Sequence, residues 1–424
     1  MTDLRAFLEG ALVVEEEVSQ DFEAARVLQV NRGRTVLFRH IQGHSMGVAG
    51  NICTTRERLC SVLGTTREGY LGHVAAALER PVEPAVREEG SCQEVTLGSL
   101  DDLPILRHFE GDGGRYITSG IVVARDEELG RNASVHRLMV TGEGRLGIRM
   151  VERHLYEYYR RAEARNEDLE VAVVIGVHPA VLYAASYSAP IGYDEFRLAG
   201  GRQGRPLELV RCKTVGLEVP AQAEVVIEGR IPPGRLEDEG PFVDVTGTYD
   251  IIRPQPYIEV TRITSRRNAV YQALLPSSPE HRLLMGMPRE CGIYTSVSKV
   301  AKVSNVCLTE GSCSWLHGAV SIEKATPEDG KRAIMAALDG HKSMKHVVIV
   351  DSDIDVFDPQ ALEFAVATRF QADKNAIILP NMKGSSLDPS AGKGALTTKV
   401  GLDATKPLGR EKEYELARIP EKRA

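Results

Sequence analysis

Apolar residues in this chain fall mainly into short runs punctuated by glycine, proline and acidic residues. Thr35–Phe38 is the first. Ile121–Val123, Val171–Val177, Glu224–Ile227, Tyr257–Ile263 and Val270–Leu275 follow, and each reads as a strand. One strong helical pattern, Ile148–Ala164, interrupts them. Many short strands with turn residues between them predict a barrel or sandwich over residues 106–295. The flanks read differently. At the N-terminus Thr2 is placed to cap a short helix closed by Gly10, and alanine-rich Tyr70–Leu78 forms a helix ending before Pro81. Glu83–Pro104 is acidic and loop-like. Beyond residue 296, Val347–Asp351 has the continuous apolar character of a buried parallel strand. Thr326-Pro327 and Asp358-Pro359 open helices reaching Leu338 and Phe370, and the stretch from Lys383 reads as loop. The expected class is multidomain α+β: an N-terminal α/β domain (1–105), a strand-rich central domain (106–295) and a C-terminal α/β domain (296–424).

Composition narrows the function classes. The 424 residues exceed what one core usually serves. Hydrophobic residues at 42% and charged residues at 26% are ordinary for a globular protein. The net charge of −7, without a basic cluster, argues against a nucleic-acid partner. The longest apolar run, Val171–Ala185, is broken by His178 and Pro179 and is too short to cross a bilayer. No signal peptide is evident at the start, so a cytoplasmic location is expected. The seven cysteines form no Cys-x-x-Cys pair and read as packing residues, with Cys313 in a Gly-Ser-Cys-Ser loop as the one candidate nucleophile.

Chemistry concentrates in the central domain. Glu239-Gly-Pro-Phe-Val-Asp244 is a tight turn with a carboxylate at each end. Crowded acids on a rigid turn suit proton transfer, because like charge and burial make one of them a proton donor. Asn132, His154 and Glu208 offer an amide oxygen, an imidazole and a carboxylate. That set suits Mn²⁺ or Mg²⁺ better than a structural zinc site, which prefers thiolates.

Taken together these segments resemble the UbiD family of decarboxylases, which use prenylated FMN. The matching pieces are Asn132 to Arg137, His154, the Leu-Glu-Leu-Val run around Glu208, and Glu239 to Asp244. Gly43-His-Ser-Met-Gly47 with Asn51, Gly311-Ser-Cys-Ser-Trp315 with His317, and Lys399-Val-Gly-Leu-Asp-Ala-Thr405 recur in the same order. The resemblance implies a split β-barrel holding the flavin in the central domain and a C-terminal domain used for oligomerisation. It implies Asp244, Glu239 and Arg137 as catalytic residues, with Asp244 the proton donor. Asn132, His154 and Glu208 would hold the divalent metal against the flavin phosphate. Arg137, His154, Ser186, Ser188 and Lys399 would contact the cofactor, and carbonyls around Ser186 to Pro190 would hold K⁺. The implied reaction is reversible, non-oxidative decarboxylation of an α,β-unsaturated or aromatic acid, with the short chain pointing to the archaeal anhydromevalonate phosphate subgroup. A flavin prenyltransferase would supply the cofactor, and the protein would assemble as a dimer or hexamer.

Two motifs point elsewhere. Gly142-Glu-Gly-Arg-Leu-Gly147 fits the dinucleotide fingerprint, but no acid closes the strand after it. It reads as a hairpin-like turn, and an NAD-dependent oxidoreductase stands as the alternative, beside a flavin-binding protein without turnover. Asp351-Ser-Asp-Ile-Asp355 lacks the glycine and glutamate of a calcium loop and reads as a strand-end loop.

Overall fold

The computed structural model describes residues 3–417 and residue 419. Its contacts divide the chain into two compact units, Met1–Pro288 and Arg289–Ala424.

In the first unit, strands Leu12–Val14, Val36–Phe38 and Gly47–Gly50 form a four-stranded sheet completed by Val270–Gln272 from far along the chain. The expected cap Thr2 lies outside the described residues. The short 3₁₀ turn Leu4–Phe7 is capped by Asp3, which accepts from the Arg5 amide. Helix Tyr70–Glu79 forms as expected and ends at Arg80, before Pro81. The acidic stretch after it is not simply loop. It contributes Ala85–Arg87 to a three-stranded sheet and Val95–Leu97 to the edge of the main one.

The main sheet has ten strands. Its path runs Tyr116–Ile117, Leu138–Gly142, Arg145–Ile148, Arg253–Ser265, Val225–Ile231, Leu169–Ile175, Ile121–Asp126, Gly130–Val135. Leu236–Glu239 and Val95–Leu97 also pair with Arg253–Ser265. Its two end strands each pair on one side only, so among the described residues the path is open and no closed barrel forms. The run Val171–Ile175 is buried throughout, and Val171, Val173 and Ile175 share a core cluster with Val122, Ala124, Leu138, Leu146 and Ile258. The helix expected from Ile148 begins only at His154, because Arg145–Ile148 is consumed as a strand. Gly142–Arg145 is the hairpin turn between Leu138–Gly142 and Arg145–Ile148, with Gly144 at φ +69°. No helix opens on it, which removes the dinucleotide reading.

In the second unit the five-stranded sheet is ordered Lys302–Leu308, His317–Glu323, His346–Asp351, Leu396–Ala404, Ala376–Lys383, with its three central strands parallel. One of these strands, Leu396–Ala404, lies in the C-terminal stretch read as loop, and Ala376–Lys383 ends where that stretch begins. Most of its Gly, Ser and Lys residues up to residue 395 belong to the connection between the two strands. The expected Thr326-Pro327 start is displaced to Asp329, whose carboxylate accepts from the Ala325 and Thr326 amides. Asp358 caps helix Pro359–Arg369 as expected. The acidic run ahead of it is a clamp on cations: Arg369 donates to Asp351 and Asp353, and Lys406 to Asp353.

Helix Pro279–Val297 carries Glu280 in its first turn, a fully buried carboxyl that accepts the Ile52 and Cys53 amides. Burial is the main cause that pushes its pKa up to about 7. The unfolded chain ionises the same group near 4.3. Between those values the folded protein holds the extra proton, so this group's contribution to stability falls as pH rises towards 7 and is level above it. Thermal unfolding from pH 5 to 7 is expected to fall more steeply for wild type than for Glu280→Gln. Parallel curves would show that the carboxyl ionises alike in both states.

Candidate active site

The site is built on one extended segment. Strand Gly130–Val135 lies against Ile121–Asp126, and the chain then passes through His136 and Arg137 into Leu138–Gly142. Arg137 enters the main sheet's acidic side. Opposite it, Leu236–Glu239 pairs with Arg253–Ser265, placing Glu239 across from Arg253. Gly240-Pro241 then turns the chain into a small hairpin, Phe242–Val243 with Tyr249–Asp250. Gly240 sits at φ +107°, where an L side chain is strained, and a Cβ there would meet the Ile251 carbonyl at 3.0 Å.

Arg137 is the hub. Its Nε and one Nη donate to the two oxygens of Glu239 at 2.9 Å each, a bidentate fork. Its other Nη donates to Asp244 at 2.9 Å, and the first also reaches Asp250 at 3.0 Å. Its guanidinium lies 4.7 Å over the Phe242 ring. Burial opposes the charge on Arg137, yet hydrogen bonds and the fields of Glu239, Asp244 and Asp250 raise its pKa overall. Asp250 is also buried, which works against ionisation. Its ion pair with Arg253, at 2.6 and 2.7 Å, and the Arg137 charge hold its carboxyl below the usual range. Glu239 is fully buried, whereas the Asp244 side chain keeps 15% exposure. Of the two acids bridged by Arg137, Asp244 therefore has the better access to a substrate. His281 is half-buried near Asp244. Burial lowers its pKa, and the Asp244 charge works the other way.

Farther back along the same strand, Asn132 is buried and its amide donates to Glu195 at 3.2 Å. Glu195 also accepts the Ala133 amide at 2.8 Å, and the His154 Nδ1 stands 3.9 Å from it. Glu195 opens helix Glu195–Gln203, capped by Asp194. Burial raises the Glu195 pKa, held back by His154 and the Ala133 amide. The carboxylate beside Asn132 and His154 is thus Glu195, and the expectation for Glu208 is corrected. Glu208 lies on strand Glu208–Arg211 of the small sheet, half exposed, and pairs with Arg87 at 2.7 Å. The Leu-Glu-Leu-Val run was misleading. The signal that marks Glu195 is an acid in the first turn of a helix behind an Asp cap. Among the described residues no three His, Cys, Asp or Glu side chains cluster as metal ligands; the polar group beside His154 and Glu195 is the Asn132 amide.

The Ser186 hydroxyl donates back to the Leu182 carbonyl of its own helix, and Ser188 is exposed. Lys399 belongs to the second unit. It is a buried strand residue, not a loop lysine, and donates to the Lys342 carbonyl at 2.6 Å. Five of the seven cysteines are buried, in keeping with packing roles.

Residues 8–78, 84–279 and 282–404 match, in order, the N-terminal, Rift-related and C-terminal domains of 3-octaprenyl-4-hydroxybenzoate carboxy-lyase. The chain belongs to the UbiD family. It is a carboxy-lyase. Its UbiD-family relatives include the anhydromevalonate phosphate decarboxylase of Methanothermobacter thermautotrophicus, 48% identical over 411 residues spanning 96% of each chain. The protein of the same name from Methanosarcina mazei is 45% identical, over 97% of each. Among solved structures, the UbiD-class enzyme HmfF from Pelotomaculum thermopropionicum in complex with FMN has a TM-score of 0.95 and 41% identity, over 99% of this chain and 98% of that one. An evolved dimeric form of HmfF in complex with prFMN gives 0.91 and 40%, over 99% and 97%. No helix among the described residues is long and apolar enough to cross a membrane.

The acidic turn is seated by a close backbone approach. A Cβ on Gly113 would lie 2.2 Å from the Gly240 carbonyl oxygen, whereas one on Gly114 meets nothing nearer than 3.3 Å. Gly113→Ala is therefore expected to displace the turn and lower turnover by about 10²-fold, with Gly114→Ala close to wild type. Equal rates in the two variants would show that the turn absorbs the intrusion.

Proposed function

We propose that this protein decarboxylates an α,β-unsaturated carboxylic acid of the anhydromevalonate 5-phosphate type, with prenylated FMN and a divalent metal bound in the first unit. The observation that carries the reading is Arg137 joined at once to Glu239 and Asp244, in a chain 48% identical to a curated anhydromevalonate phosphate decarboxylase. The FMN and prFMN in solved relatives support the cofactor.

The residues fit these groups. Glu195 is buried against an amide, a backbone N–H and a histidine, a carboxylate without a full cation of its own. Mn²⁺ or Mg²⁺ between Asn132, His154 and Glu195 would supply that charge and anchor the flavin phosphate. A K⁺ ion would sit on carbonyls between Ser186 and Pro190, where helix Pro179–Ser186 ends and its last carbonyls lack helical partners. The open, many-stranded central sheet is read as the split barrel that cradles the flavin.

The bound prenylated flavin supplies the electron sink for the carbanion left when CO₂ departs, chemistry that no side chain offers. Asp244 holds the proton that replaces the carboxylate on the substrate carbon. Arg137 orients Asp244, and Glu239 fixes Arg137 from its other edge. The hairpin around Phe242 shields these groups from bulk water. A flavin prenyltransferase makes the cofactor, the protein works in isoprenoid synthesis in the cytoplasm, and the chain assembles as a dimer or larger homo-oligomer.

Protein produced with an active flavin prenyltransferase is expected to decarboxylate, and protein produced without one to be inactive. Equal activity in both preparations would sink the cofactor reading. Assay of anhydromevalonate 5-phosphate against aryl and heteroaryl acids decides the substrate class. Asp244→Asn should keep flavin and metal but lose about 10²–10⁴-fold in kcat. Near-normal turnover with full loading would transfer the proton to another group.

Metal content separates the two glutamates. Glu195→Gln should lower bound Mn²⁺ several-fold, as should His154→Ala, while Glu208→Gln leaves it unchanged. Elemental analysis showing the reverse would restore Glu208.

A further inference from the structure

Tyr116 is a residue that neither the sequence motifs nor the proposed chemistry uses. It is fully buried, and its hydroxyl faces Glu239 Oε1 at 3.2 Å and the Pro241 carbonyl at 3.3 Å. Both distances are long, as for one hydroxyl shared between two acceptors. Its ring lies 4.5 Å from that of Phe242, on which Arg137 rests, and with Met139 these rings form a separate core cluster. The backbone is fixed as well. Strand Tyr116–Ile117 pairs with Leu138–Gly142, the strand that follows Arg137, and the Gly113 amide donates to Pro241 at 2.8 Å. The same short segment also carries Asp112, whose carboxyl receives the His108 and Phe109 amides and feels that of Val243.

We propose that Tyr116 is a positioning residue for decarboxylation: its hydroxyl holds Glu239 against one edge of Arg137, leaving the other edge to orient Asp244. The claim rests on the proposed function for its catalytic consequence only. Glu239 has two neighbours that donate to it, Arg137 and Tyr116. Arg137 grips both oxygens of Glu239 but is also drawn by Asp244 and Asp250, so the pair can shift as a unit and the fork alone gives Glu239 no fixed direction relative to the sheet. Tyr116 is anchored in the sheet and supplies that direction. Without the hydroxyl, Glu239 can slide along the fork, Arg137 follows it, and the Asp244 proton loses its alignment with the substrate carbon.

Tyr116→Phe keeps the ring in its cluster and removes the hydroxyl alone. In the flavin-loaded holoenzyme, kcat is expected to fall about tenfold, the effect of one hydrogen bond to a charged group. KM, melting temperature and flavin and metal content should stay near wild type, and the solvent deuterium isotope effect on kcat should rise as proton delivery becomes slower. In the flavin-free protein, amide hydrogen exchange over residues 239–244 should quicken several-fold while the rest of the chain is unchanged. Wild-type kcat and isotope effect, or unchanged exchange over that segment, would overturn the proposal. So would a joint fall of kcat, cofactor content and melting temperature, which marks a purely structural role. If loaded wild type turns over no unsaturated or aromatic acid, the proposed function fails, and the exchange measurement still decides whether Tyr116 fixes the turn.

Discussion

The site depends on one guanidinium shared among buried carboxylates. Asp250 has its own cation in Arg253, with Arg149 at 3.7 Å. That leaves Glu239 and Asp244 facing Arg137. Three carboxylates, Glu239, Asp244 and Asp250, thus stand among three guanidinium groups, with Arg137 touching all three acids. Burying such a group is costly unless its geometry is fully satisfied. Here the fork of Arg137, the hairpin amides and the Phe242 ring satisfy it together. The arrangement fixes the geometry of the acids more than it stabilises the fold.

The rest of the first unit can be understood as the frame for that guanidinium. Arg137 lies between strands Gly130–Val135 and Leu138–Gly142, both hydrogen-bonded into the main sheet, so its backbone is tied to the sheet on both sides. Glu239 and Asp244 come from two sides of one turn, and that turn is held by glycine at 240 and by close approach of Gly113. Each carboxylate is thus placed by a different strand, while a single side chain measures the distance between them. Small backbone shifts that a surface ion pair would tolerate are felt here, because three hydrogen bonds to one planar group cannot all adjust at once.

Much of this was legible in the sequence, and the reasons are local. Glu239-Gly-Pro-Phe-Val-Asp244 carries its own turn chemistry, and Asn132 and Arg137 lie on one short extended segment. Strands such as Leu169–Ile175 announce themselves through β-branched runs. What failed was non-local. Glu208 sits in a run that looks like a motif, yet its strand pairs with Ala85–Arg87, and Arg87 takes its charge. Glu195 joins Asn132 only because a helix start is laid against a strand 62 residues earlier at Ala133. Leu396–Ala404 was hidden by polar and glycine residues, since a strand flanked on both sides by partners needs little hydrophobic signal of its own. Tyr116 belongs to a two-residue strand, too short for any periodicity to reveal.

The donor set and the acid network are linked by one strand face, and its hydrogen bonds bear on how Asn132 is turned. His136 Nδ1 lies 3.1 Å from the Arg149 carbonyl, and Nε2 lies 2.9 Å from the Ser134 hydroxyl, which in turn meets Asn132 at 3.0 Å. Burial lowers the His136 pKa to about 4, so the ring is neutral near pH 7 and carries one proton. A carbonyl only accepts, so that proton belongs on Nδ1. Ser134 has one hydroxyl hydrogen and two acceptors within reach, His136 Nε2 and the Asn132 amide oxygen. While that hydrogen serves Asn132, the amide nitrogen is left to donate to Glu195, as observed. His136, Ser134 and Asn132 thus form one hydrogen-bonded row from the Arg149 carbonyl to Glu195, along the segment that leads to Arg137.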